Sequence, residues 1–327
     1  SSDWWCSGFF PGVLWYLYEN NKGSEELFDY ANLYTKRIEK EQFNTSTHDL
    51  GFMLYCSYGN GFRLNPTSES EGVLINGAHA LSARYNPVVK CIRSWNKWRD
   101  YSYPVIIDNM MNLEMLMWAY KRTGDDTFKN IAISHANTTK LHHFREDYSS
   151  FHVVAYDLKS GKVLQRGTDQ GYGDDSSWAR GQAWALYGYT MMYRETGNED
   201  YLNLAWHIAD FILNHPHLPK DKIPYWDFDS PGIPDDYRDS SSAAIIASAL
   251  LELSKYSEGH RCERYYTVAE QQLRMLASDE YMAEVGTNGF FILKHGVGNI
   301  PQNSELDAPL SYGDYYFIEA LLRYRNY

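Results

Sequence analysis

Between Asp108 and Trp184 the chain strings together Asp108-Asn-Met-Met-Asn112, His152 and Gln170-Gly-Tyr-Gly-Asp-Asp-Ser-Ser-Trp-Ala-Arg-Gly-Gln-Ala-Trp184. A carboxylate, an imidazole, an amide, a guanidinium and two indoles each fall close to the start of an apolar helical run. The carboxylate can move protons, the arginine can meet a substrate carboxylate in a bidentate fork, and the indole faces can cover a pyranose ring. Such a set suits a site for a sugar acid.

Each member also has a plain structural explanation. Asp49, in Thr47-His-Asp-Leu-Gly-Phe52, and Asp108 both stand just before apolar helical runs, where aspartate is a preferred N-cap for orphan backbone N–H groups. Taken singly, capping accounts for either one. Taken together at the starts of buried helices, two carboxylates would point into one cleft and share acid–base work. His152 heads a β-hairpin, where a lone histidine is usually structural or exposed. Arg180 and Gln182 open an otherwise apolar helix, and an arginine there needs an anion: Asp174, Asp175 or a substrate carboxylate. Trp5, Trp95, Trp98 and Trp184 are candidate sugar platforms against a background of core tryptophans. Arg238-Asp-Ser-Ser-Ser-Ala-Ala reads first as an N-cap ahead of a buried helix.

Helices must position these groups. Leu113–Tyr120, Trp184–Tyr193, Ala243–Leu253 and Tyr315–Leu322 are apolar on most faces, as expected of helices buried all round. Between them, Glu25–Glu39, Thr127–His142, Tyr201–Leu213 and Tyr265–Leu276 carry charge along one side. A buried helix followed by a half-exposed one predicts an inner and an outer layer. Thr123-Gly-Asp-Asp-Thr-Phe-Lys-Asn-Ile-Ala132 repeats as Thr196-Gly-Asn-Glu-Asp-Tyr-Leu-Asn-Leu-Ala205, with a fainter copy from Gly23 to Ala31. In each copy a glycine ends one helix and an acidic first turn opens the next, the chemistry of a short helix–helix turn. About six such hairpins fit the chain, which predicts an all-α toroid of six helical hairpins over residues 1–327 as a single domain. Only residues 151–165 read as a β-hairpin, around Ser160-Gly161.

Composition bounds the partners. A formal net charge of −12 disfavours nucleic acid and anionic membrane surfaces, so an anionic substrate needs a local cluster to hold it. The longest nearly apolar run, Ala243–Leu253, falls short of the roughly 18 residues of a membrane span. Cys6, Cys56, Cys91 and Cys262 lie far apart without metal-ligand spacing, which predicts thiols rather than a disulfide framework or a zinc site. A start at Ser1-Ser-Asp-Trp-Trp5 is what a removed leader would leave, so localisation stays open.

At these residues the chain resembles the unsaturated glucuronyl hydrolases, glycoside hydrolase family 88. The resemblance runs through Ser7-Gly-Phe-Phe-Pro-Gly12, His48-Asp-Leu-Gly-Phe52, Asp108-Asn-Met-Met-Asn112, Gln170-Gly-Tyr172, Trp178-Ala-Arg-Gly-Gln-Ala-Trp184, Pro224-Tyr-Trp-Asp-Phe-Asp229, Arg238-Asp-Ser-Ser241 and Tyr312-Gly-Asp-Tyr-Tyr-Phe317. It implies an (α/α)6 barrel and moves Asp49 and Asp108 from caps to catalysis. Asp108 is the implied general acid/base and Asp49 its partner; His152, Gln170, Arg180, Trp184, Trp95 and Trp5 are the implied substrate contacts. No metal or organic cofactor is implied. The implied substrate is an oligosaccharide ending in 4,5-unsaturated uronic acid, from chondroitin, hyaluronan or heparin, and the implied reaction is hydration of its vinyl ether. Displacement at the anomeric carbon is not involved, so carboxylate spacing gives no stereochemical outcome here.

One stretch departs from the family pattern. Members favouring sulfated chondroitin share Ser-x-x-Ser-x-Lys before the last helix, whereas this chain has Gly296-Val-Gly-Asn-Ile-Pro301, with Lys294 and His295 as possible substitutes. Preference for an unsulfated disaccharide is the expectation. A hydrolase of uronyl-rhamnose fragments is the close alternative; a zinc enzyme on the same toroid and a catalytically dead sugar-binding module are the distant ones.

Overall fold

The computed structural model describes residues 1–327. By its internal contacts the chain divides into two units, residues 1–142 with 153–165, and residues 143–152 with 166–327.

The first unit opens with α1 (Phe9–Asn20) and α2 (Glu25–Lys36), a hairpin turned at Gly23 and capped by Ser24, whose hydroxyl accepts the Leu27 N–H. Most of one side of α1 is buried, while α2 buries only Ala31 and Thr35, and the Trp15 indole donates to the Thr35 hydroxyl at 2.9 Å. A π-helical segment, Gly51–Gly59, runs into α3 (Asn60–Leu64) and packs on α1. It also packs on α4 (Ser68–Ser82), which Thr67 caps through the Ser70 N–H. Two short strands, β1 (Tyr85–Asn86) and β2 (Cys91–Ile92), pair antiparallel. Then β3 (Pro104–Ile106) leads through a 3-10 turn, Ile107–Asn112, into α5 (Leu113–Thr123) and α6 (Asp126–His142). Gly124, at φ 74°, supplies the left-handed residue that ends α5.

The expected β-hairpin is present as β4 (Val153–Tyr156) and β5 (Val163–Gly167), with Gly161 at φ 70° in its turn. β3 pairs with β4 in the register Pro104↔Ala155 and Ile106↔Val153, which makes a three-stranded sheet in the order β3-β4-β5. The sequence reading missed this third strand because three apolar residues ahead of a helix show no alternation of their own.

The second unit holds α7 (Ala179–Thr196), α8 (Glu199–Asn214), α9 (Ser240–Ser254), α10 (Gly259–Leu276) and α11 (Ser311–Arg325). α7 and α8 form the second copy of the repeat, with Gly197 at φ 68° and Asn198 capping α8. Every residue of α9 is buried, and its small Ser and Ala residues let α7, α10 and α11 pack around it. Arg194 of α7, Glu252 of α9, and Glu319 and Arg323 of α11 join in ion pairs of 2.8–2.9 Å, so the charges in this interior are matched. No helix is long and apolar enough to cross a membrane. No disulfide joins the cysteines; Cys56 and Cys91 are buried.

Candidate active site

In the first unit, neither aspartate is a cap. The 3-10 turn and the π-helical segment begin at Ile106 and Leu50 without side-chain caps, and α5 follows Asn112. Asp108 lies in the turn itself with 7% of its surface exposed, between Ile107 and Asn109, which are fully buried. Two amides fix this turn. The Asn109 side chain donates to the Ile92 carbonyl at 3.0 Å, and the Asn112 side-chain oxygen accepts the Phe52 N–H at 3.0 Å. Through that bond to Phe52, the Asn112 amide joins the turn that carries Asp108 to the segment that follows Asp49. The approach is close: a Cβ on Gly51 would stand 2.5 Å from the Asn112 Cα, and one on Gly8 would stand 2.2 Å from the Phe52 and Met53 carbonyl oxygens. Glycines in the Ser7–Gly12 and His48–Phe52 motifs therefore answer to space around Asp49.

Asp49 sits in an unusual electrostatic setting. The Thr47 hydroxyl reaches Asp49 Oδ2 at 3.2 Å, and His48 Nε2 lies 3.2 Å from Oδ1. Burial pushes the Asp49 carboxyl up to about 7, against the hydrogen bonds from Thr47 and Asn112 and the charge of Arg84, which favour the anion. His48 is 1% exposed; burial first, and then the neighbouring Arg84 charge, push its imidazole down to about 3. Arg84 is itself held, donating to the carbonyls of Arg93, Thr45 and Ser94 at 2.7–2.9 Å. A carboxyl that changes charge near neutral pH is suited to proton traffic. Trp5 stands edge-on to Phe9 and Phe52, half-buried, and Trp95 lies partly buried against Trp98, Ile106, Val153 and Ala155.

In the second unit, His152 is 3% exposed and its Nδ1 accepts the backbone N–H groups of Asp169 and Gln170 at 3.2 and 3.3 Å. Two donors on Nδ1 place the ring proton on Nε2, so the imidazole acts as a donor there. Trp178 covers the ring at 4.5 Å. Gln182 clamps the peptide two residues upstream, accepting the Ser150 N–H at 2.8 Å and donating to its carbonyl at 3.2 Å. In the Gln170-Gly-Tyr172 motif, a Cβ on Gly171 would stand 2.8 Å from the Thr168 hydroxyl and 3.0 Å from Asp227 Oδ2; the latter accepts the Tyr172 N–H.

Arg180 is held by distant parts of the chain: Nη1 lies 3.6 Å from Asp239 Oδ2 and donates to the Val297 carbonyl, while Nη2 donates to the Gly298 carbonyl at 2.7 Å. Asp174 accepts the Thr168 N–H. The guanidinium lies between the rings of Trp178 and Tyr312, at 4.5 and 5.2 Å, and is 1% exposed. Asp239, which caps α9 through the Ser241 N–H, sits where the helices meet. Trp184 is fully buried, edge-on to Tyr316 at 5.4 Å, and turns no face to solvent. His48 and Arg84 went unassigned in the sequence, where the only signal for His48 was its place beside Asp49; Asp239 is the N-cap that the run from Arg238 pointed to.

No family model matches the chain. Comparison with known proteins nevertheless decides its kin. An unsaturated glucuronyl hydrolase of Formosa agariphila is 49% identical over 98% of this chain and 80% of its own length. The chain belongs to the unsaturated glucuronyl hydrolases. Among solved structures, an unsaturated glucuronyl hydrolase specific for heparin superposes with a TM-score of 0.95 at 52% identity, over 98% of this chain and 86% of that one. The glycosaminoglycan-degrading enzyme of Bacillus sp. GL1 superposes at 0.90 with 31% identity, over 98% and 85%. The fold is theirs, the (α/α)6 barrel, with small sheets added, and the chain is a glycoside hydrolase.

Proposed function

We propose that this hydrolase removes 4,5-unsaturated glucuronic acid from the non-reducing end of lyase-generated glycosaminoglycan fragments, with unsulfated, heparin-type disaccharides as preferred substrates. The feature that carries the reading is the buried Asp49 carboxyl, which burial pushes up to about 7, just ahead of a segment whose Phe52 N–H is held by Asn112 of the turn bearing Asp108.

The chemistry follows from the substrate. Its ring oxygen feeds electron density into the C4=C5 bond, so protonation at C4 leaves positive charge shared between C5 and that oxygen. Asp108 delivers this proton, and its carboxylate then takes one from the water that adds at C5. The hemiketal so formed opens, and the hemiacetal left at C1 expels the aglycone. Asp49, protonated in about half of the molecules near pH 7 and in more below it, can add a donor without a second negative charge. The half-buried indoles of Trp5 and Trp95 offer stacking faces. Within the second unit His152 carries a donor at Nε2 and Gln170 an amide, Arg180 ties the start of α7 to the Val297 and Gly298 carbonyls, and Trp184 packs on Tyr316.

The preference rests on the segment around residues 294–301. Gly296, Asn299 and Pro301 offer no hydroxyl or ammonium, Lys294 donates to the Asp279 carbonyl, and His295 is paired with Asp307 at 2.6 Å. A sulfate there would lose water for little return. The relative specific for heparin supports the heparin-type part of the reading. A panel of lyase products, followed by loss of the C4=C5 absorbance, tests the proposal. Fastest decay is expected for the unsulfated heparin-type disaccharide; fastest decay on a rhamnose-linked fragment would overturn the substrate assignment, and none on any product would overturn the activity.

A further inference from the structure

Away from the residues above, the first unit holds a cavity of about 260 Å³ between α1, α2, the π-helical segment, α3 and the start of α4. None of its lining residues is among the catalytic or substrate-contacting groups. Tyr58, near the far end of the segment that follows Asp49, lines this cavity while only 6% exposed, and its hydroxyl has no hydrogen-bond partner in the chain. Burial, and then the charges of Glu39 and Glu69, hold that hydroxyl well above the usual phenol range, so it remains a donor. Thr35, 5% exposed, accepts the Trp15 indole N–H at 2.9 Å and keeps its own hydrogen to give. Buried donors left unpaired are costly, so two of them lining one cavity suit a guest that accepts. Gly61 keeps the cavity open beneath them: a Cβ there would stand 3.0 Å from carbons of the Trp15 ring.

Charge narrows the class of guest. Hydroxyl donors suit a cation poorly, the carboxylates of Glu39 and Glu69 oppose an anion, and Lys36 is already paired with Glu69 at 3.5 Å. What remains is a neutral molecule rich in hydroxyls. Asn32, whose amide donates to the Phe28 carbonyl at 2.8 Å, keeps its side-chain oxygen to accept from such a guest. The volume lies just below the roughly 300–1,000 Å³ of pockets for drug-sized ligands, which limits the guest to about one ring. We propose that this cavity is a second carbohydrate site, separate from the site of hydrolysis, which binds one neutral pyranose through the hydroxyls of Tyr58 and Thr35 and the amide of Asn32. It holds whatever the substrate of the enzyme proves to be.

Saturation-transfer NMR on the whole protein tests it, with glucose as the neutral probe and glucuronate, which differs only at C6, as the anionic one. Glucose is expected to bind in the roughly millimolar range and glucuronate not to enter the cavity. Tyr58→Phe should weaken glucose binding roughly three- to tenfold. Asn32→Trp, at an exposed position on the rim, should close the cavity and remove most of the glucose signal. Both variants should keep a cooperative urea transition and the wild-type hydrolytic rate. Glucose transfer of equal strength in Asn32→Trp and the wild type would place the sugar elsewhere and overturn the proposal. Unchanged affinity in Tyr58→Phe, a glucuronate signal lost in Asn32→Trp to the same degree as that of glucose, or no transfer from glucose up to roughly tens of millimolar would overturn it equally.

Discussion

Asp49→Asn should stabilise the protein while disabling it, and the size of the gain follows from the burial of the carboxyl. In the unfolded chain Asp49 ionises near 3.8; in the folded chain it does so near 7. Between those values the folded state binds more protons, so stability falls as pH rises through this window and levels off above it. About three units at about 1.4 kcal/mol each amount to a loss of about 4 kcal/mol, an upper bound because the side chain keeps 15% of its exposure. An amide is neutral throughout and keeps the shape of the neutral carboxyl. Urea unfolding of both proteins across about pH 4 to 8 should therefore show no difference at the acid end and an advantage for the variant that grows to a plateau near neutrality. A difference independent of pH, or a wild type that gains on the variant as pH rises, would refute the raised pKa and the neutral-acid role with it.

Asp108→Asn should leave the unfolding midpoint nearly unchanged and reduce kcat by roughly 10²–10⁴-fold in the same absorbance assay. Arg180→Lys should raise KM and lower stability by roughly 3 kcal/mol in urea melts, because an ammonium cannot span the Val297 and Gly298 carbonyls while lying flat between Trp178 and Tyr312. Side-by-side kinetics should give the unsulfated chondroitin or hyaluronan disaccharide a higher kcat/KM than its 6-sulfated counterpart; the reverse order would place a sulfate partner among side chains other than those of residues 294–301.

Helices were legible because each hairpin repeats a local signal: a left-handed glycine such as Gly124 or Gly197, then an acidic first turn. The motifs single out Asp49 and Asp108, but the setting of the two side chains was not legible. The link from Asn112 to Phe52 spans sixty residues, and neither periodicity nor propensity carries information over that distance. The same holds for Arg180, whose contact with Asp239, fifty-nine residues away at the cap of α9, no local pattern announces. Burial likewise escaped the sequence: nothing in Trp184 itself says that its indole is enclosed while Trp95 keeps a partly open face.

The segment that follows Lys294 is fastened by its main chain. Arg180 grips two carbonyls, Gly296 bridges to Ala308 and Asn299 to Ser304, while Asn303 and Ser304 are exposed and the Gln302 side chain donates to Asp169 at 3.2 Å. A loop anchored in this way can exchange its exposed residues with little effect on its course. On the proposed reading that this segment meets the aglycone, point substitution at Asn303 and Ser304 can alter preference without first repairing stability, and a library at these two positions should yield folded enzymes at high frequency.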